Sequence, residues 1–147
     1  MAEELFDLEQ AERLLPRLEC LLRGAIDSKQ KIAEIEQEYA DLVRSIYQSG
    51  GRAVDLPAFS NRKKEKEQGE QDLLMALQEI QMLGCVVKDL CTGLIDFPCR
   101  VGEREVYLCW RLGEPSIRFW HAVDEGFAGR KPIDETFLTQ LKPPRPV

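Results

Sequence analysis

The chain has 147 residues, 44% hydrophobic and 31% charged, with 20 basic against 26 acidic side chains and a net charge of −6. That is an ordinary globular composition, long enough for a core without disulfide or metal staples, and the acidic balance argues against nonspecific attraction to nucleic acid or anionic lipid. No apolar run approaches the ~20 residues of a membrane span, and the start "MAEELFDLEQ" lacks the basic-then-apolar order of a secretory signal.

In chain order, Asp7 and Gln10 have the spacing of a capping box, which predicts a helix beginning at about residue 8. Pro16 falls inside the pattern and predicts a kink or restart. From there Leu18, Leu21, Ala25, Ser28, Ile32, Ile35, Tyr39, Leu42 and Ile46 alternate steps of three and four, a heptad seam that needs a partner helix. "SGGRAVDLPAFSN" reads as a loop, with Ser60 or Asn61 capping a second helix that runs to Leu83 and stops at Gly84. The second seam is weaker, because Lys66 and Gly69 share the line of Leu73, Ile80 and Leu83. The charge run "NRKKEKEQGEQD" interleaves both signs and reads as a solvated face.

After Gly84 the period becomes strand-like. "CVVKDL", "LIDFPC", "EVYLCWRL" and "SIRFWH" predict a four-stranded antiparallel meander over about 85–121. A four-residue loop, Gly113 to Ser116, pairs Leu112 with Ile117. Alternation then places Val106, Leu108, Trp110, Leu112, Ile117, Phe119 and His121 on one apolar face. Glu105, Tyr107, Cys109, Arg111, Arg118 and Trp120 fall on a mixed face. In the preceding hairpin, a three-residue loop, Cys91 to Gly93, sets Lys88 opposite Asp96. A two-residue loop would instead oppose Asp89 and Asp96 and invite a metal, but Thr92 suits its turn poorly. Residues 122–140 read as a turn region and 141–147 as a Pro-rich tail.

Candidate chemistry lies along the sheet margin. His121 with Asp124 and Glu125 forms a possible divalent-metal cluster, to which Asp89, Asp96, Arg111 and Glu114 could contribute. A lone histidine ending an apolar row reads more simply as a hydrogen-bonded structural residue. Arg111 and Arg118 lie side by side on the mixed face and need a neutralising group. Asp96 or Glu105 could supply it internally, with Trp120 covering a guanidinium, or an anion or partner could do so. Arg130, in the glycine-containing "GFAGRK", is a further anion contact; two glycines alone make a weak phosphate loop. Cys20, Cys85, Cys91, Cys99 and Cys109 contain no Cys-x-x-Cys pair, which predicts reduced thiols, a cytoplasmic location and no structural zinc site from spacing.

The stretches "FDLEQAERLLPRL", "VKDLCTGLIDFP" and "VYLCWRLGEPSIRFWHAVDEGFAGRKPI" together resemble a family of small, mostly bacterial proteins, domain of unknown function family 2203. The resemblance spans nearly the whole chain and implies no activity, substrate or cofactor. The expected fold is α+β over residues 1–140 as a single domain. A long antiparallel, coiled-coil-like helical hairpin over about 8–83 packs on the small antiparallel meander. The first functional expectation is a noncatalytic interaction or scaffold module that self-associates as a homodimer through its hairpin, with no cofactor and with a protein partner possible. The alternative is a small enzyme or divalent-metal-binding protein with its site at the sheet margin. The chain has no second histidine and no evident nucleophile–base pair to favour it.

Overall fold

The computed structural model describes residues 5–51 and 53–140. The Pro-rich segment 141–147 and the first four residues lie outside the described residues. The protein is α+β, and its contacts divide it into two units, Met1–Leu22 with Leu77–Val147, and Arg23–Ala76.

Local chemistry accounts for the helix boundaries. In α1 (Leu8–Arg13), Asp7 Oδ1 accepts the Gln10 N–H at 2.6 Å while Gln10 Oε1 accepts the Asp7 N–H at 3.1 Å, the expected capping box. The chain then restarts as α2 (Leu15–Ser49), with Pro16 in its first turn, where a missing N–H leaves no bond unmade. The next helix, α3 (Leu56–Met82), begins earlier than Ser60 or Asn61. Asp55 caps it by accepting the Ala58 N–H at 3.1 Å, and Pro57 sits in its first turn. It ends at Gly84, whose φ of +95° is open to glycine.

The sheet has five strands rather than four: β1 (Val86–Asp89), β2 (Leu94–Val101), β3 (Arg104–Arg111), β4 (Phe119–Ala122) and β5 (Lys131–Pro132), ordered β1-β2-β3-β4-β5 and antiparallel throughout. Residues 122–140, expected as turns, hold a 3-10 turn (Phe127–Gly129), β5 and α4 (Glu135–Gln140). Pro132 is tolerated because β5 is an edge strand.

Two registers differ from expectation. Asp96 pairs with Val86, neither with Lys88 nor with Asp89, because the β1–β2 turn spans Leu90–Gly93 and a bulge lies between Val87 and Asp89. On the other side of the sheet, Leu108 pairs with Trp120 and Cys109 with Phe119. The connection between those strands therefore runs from Leu112 to Arg118. Gly113 has a φ of +103°, Trp110 Nε1 donates to the Glu114 carbonyl at 2.9 Å, and the Arg111 N–H donates to Glu114 Oε1 at 2.6 Å. These bonds close a wide loop in place of Gly113–Ser116. A one-residue change of pairing parity moves every β4 side chain to the other face.

The core face accordingly carries Ile95, Phe97, Cys99, Val106, Leu108 and Trp110, together with Trp120, which stacks on Phe137 of α4 at 5.0 Å. Ala11, Leu18, Leu22 and Ile80 complete this core, and Phe6 meets Phe97 edge-on at 5.5 Å. Beyond the pairing reach of β1, the Phe6 N–H donates to the Pro98 carbonyl at 2.7 Å, so β2 keeps a partner there.

In the Arg23–Ala76 unit, α2 packs on α3. Arg62 meets Glu38 at 2.5 Å, Lys66 meets Glu36 at 3.4 Å, and Gly69 is buried beside Ile32. Ala25 and Ile35 are buried; Ser28, Ile32, Leu42 and Ile46 are half-buried; Tyr39 is exposed but its ring centroid lies 5.6 Å from that of Phe59. No described helix is long and apolar enough to cross a membrane.

Candidate functional site

The face opposite the core carries an enclosed polar group. Because Asp96 pairs with Cys109 and His121 pairs with Tyr107, alternation points Asp96, Cys109, His121, Tyr107 and Phe119 to the same side. Asp96 is 1% exposed, His121 3% and Cys109 0%. Their potential ligand atoms lie within 4.8 Å of one another.

Hydrogen bonds define the state of the imidazole. His121 Nδ1 lies 2.8 Å from the Ala122 carbonyl, which can only accept, so Nδ1 carries a proton. Nε2 lies 3.0 Å from Asp96 Oδ2, and one hydrogen must occupy that gap, on the ring or on the carboxyl. Either way the pair is neutral, which limits the cost of burying it. Among the described residues Asp96 Oδ1 is buried outside any well-aligned hydrogen bond.

Cys109 is held as a thiol. Burial pushes it up to about 12, and the Asp96 carboxylate pushes the same way against the opposing Arg130 guanidinium. Both ring nitrogens of His121 are already engaged, so none is free to take the thiol proton. The group therefore lacks the arrangement of a nucleophile and its base.

Surrounding side chains close the face. Tyr107 lies against the His121 ring at 5.4 Å. Arg130 stacks over Phe119 at 4.0 Å and Phe127 at 4.7 Å, and its Nη2 donates to Glu114 Oε1 at 2.7 Å and to the Cys109 carbonyl at 3.3 Å. Glu125 accepts the Ala122 N–H at 3.1 Å and pairs with Lys131. The Lys131 hydrogen bond, helped by that N–H, holds the Glu125 carboxyl below the usual carboxylate range.

Of the residues singled out in the sequence, Asp96 and His121 come together, but within the sheet rather than at its margin, and His121 is on the face opposite the apolar row. Asp89 is exposed and accepts the Cys91 N–H at 3.0 Å. Asp124 is exposed. Glu114 and Glu125 take Arg130 and Lys131, the cations of the glycine-containing loop. Arg111 and Arg118 do not form the expected cross-strand pair: Arg118 precedes β4, its Nε donates to Ser116 Oγ at 3.3 Å, and its carbonyl accepts the Ile133 N–H. Asp96 is committed to His121 rather than to these arginines. Trp120 faces the core, and the cations over its ring are Lys131 and Arg104. Cys109 was absent from the sequence candidates. An odd-parity β3–β4 loop was the signal that would have placed His121 beside it.

Fold and site define a small α+β protein whose five-stranded antiparallel sheet carries a closed Asp–Cys–His group on one face. The chain belongs to the family described as "Uncharacterized conserved protein (DUF2203)", whose profile matches residues 4–133. No match to the chain was found among curated proteins or solved structures.

Proposed function

We propose that the protein is an interaction module that self-associates as a homodimer through the Arg23–Ala76 unit, with α2 and α3 as an antiparallel, coiled-coil-like arm. The observation that carries this reading is apolar surface left open in that unit. A groove of about 710 Å³ is floored by Ile35, Tyr39, Leu42, Ala58 and Phe59. Tyr47 is 84% exposed and Leu56 70%. Glu36 and Glu38 line the groove paired with Lys66 and Arg62, which leaves its apolar floor as the surface offered to a second copy. Five cysteines that form no disulfide fit a reducing, cytoplasmic setting.

The sheet-margin enzyme or metal reading has less support, since Glu114 and Glu125 already have cationic partners. Sedimentation velocity over a concentration series tests the dimer. The expected result is a concentration-dependent dimer that Tyr39→Glu weakens more than about tenfold by burying an unpaired anion. A monomer throughout the series removes the reading.

A further inference from the structure

We infer that Asp96, Cys109 and His121 form a binding site for one zinc(II) ion, enclosed by the sheet face. Three observations carry this beyond a buried hydrogen-bonded pair. The donors are a carboxylate oxygen, a thiol sulfur and an imidazole nitrogen, a set that suits zinc, and all lie within 4.8 Å. The His121 Nδ1–H is fixed on the Ala122 carbonyl at 2.8 Å, which orients Nε2 as the metal-binding nitrogen. Among the described residues Asp96 Oδ1 is a buried acceptor outside any well-aligned hydrogen bond, on a residue only 1% exposed, and the Cys109 thiol hydrogen-bonds towards the same carboxyl. That oxygen or a water supplies the fourth donor.

Charge balance permits the occupied state, because the metal-free and zinc-bound groups both sum to zero. Zinc(II) displaces the hydrogen between His121 Nε2 and Asp96 Oδ2 and the hydrogen on Cys109 Sγ, and both protons leave to solvent. One carboxylate, one thiolate and one neutral imidazole around a divalent cation sum to zero. Arg130, the cation beside Cys109, is balanced by Glu114 at 2.7 Å. A neutral assembly is what a water-excluding site can hold. Since all three ligands are buried, the metal enters as the chain folds.

The test is elemental analysis of the full chain purified without chelator, followed by unfolding in chelator and refolding with zinc(II) or cobalt(II). The expected result is close to one zinc per chain and a higher melting temperature after refolding with zinc. The cobalt form should show thiolate-to-metal charge-transfer absorption. Cys109→Ser should abolish that absorption, and Asp96→Asn should weaken zinc binding more than about tenfold, while a Cys20→Ser/Cys91→Ser control keeps both. Absence of bound zinc together with no change in melting temperature on refolding overturns the site. Stoichiometric zinc that survives in folded Cys109→Ser and His121→Gln variants also overturns it. If those variants do not fold, wild-type cobalt absorption without a thiolate band is decisive against it.

Discussion

Cys85 and Cys99 are buried, and the loss of water around each sulfur pushes the thiol from its ordinary value near 9 up to about 12. The folded state therefore holds these protons at pH values where the unfolded chain has released them. Their contribution to stability is complete below the unfolded value and is lost as pH rises from about 9 towards 12. Urea unfolding should give a lower midpoint at pH 10 than at pH 8, and Cys99→Ala should flatten that decline. Reactivity follows the same physics: a thiol reagent should modify the exposed Cys20 and Cys91 in the native protein and reach Cys85, Cys99 and Cys109 only on unfolding. Rapid native modification of Cys99, or a midpoint that rises with pH, would contradict the burial argument.

Turns decide which side chains meet, and Gly93 shows why. Its φ is +70°, and an added Cβ would stand 2.5 Å from Leu112 Cβ, where the β1–β2 turn touches the end of β3. Gly50 has a similar φ of +72° with nothing within 4 Å. Gly93→Ala should therefore cost more than the roughly 1 kcal/mol of a disfavoured backbone, and more than Gly50→Ala; chemical denaturation of both variants measures the difference. Equal costs would show that the Leu112 contact relaxes freely. The core side of β3 was legible in the sequence because Val106, Leu108 and Trp110 alternate without interruption. The side of β4 was not, because it depends on a wide loop whose hydrogen bonds to Glu114 leave no periodic trace. Asp96 and His121 were therefore visible as candidates, while their contact and the presence of Cys109 were not. Gly69 had the same difficulty: on a seam it reads as a weak position, yet it lets Ile32 approach to 3.3 Å of where its Cβ would be.

Burial is distributed unequally between the two units. Within Arg23–Ala76 the buried described residues are Ala25, Ile35 and Gly69, whereas the other unit encloses the sheet core and the polar triad. Few buried contacts mean inexpensive local opening, since cooperative units open according to what packs within them. Native-state hydrogen exchange should therefore find the amides of 32–46 in α2 less protected than those of β2 and β3. The proposed self-association through the helical unit would add a second signature. Raising the protein concentration should then slow exchange in 32–46 while leaving β2 and β3 unchanged, because the proposed dimer would cover Tyr39 and its groove. The Tyr39→Glu variant should keep the exchange pattern of the dilute protein at every concentration. Protection that is uniform along the chain would remove the two-level stability, and protection independent of concentration would remove the dimer without touching it.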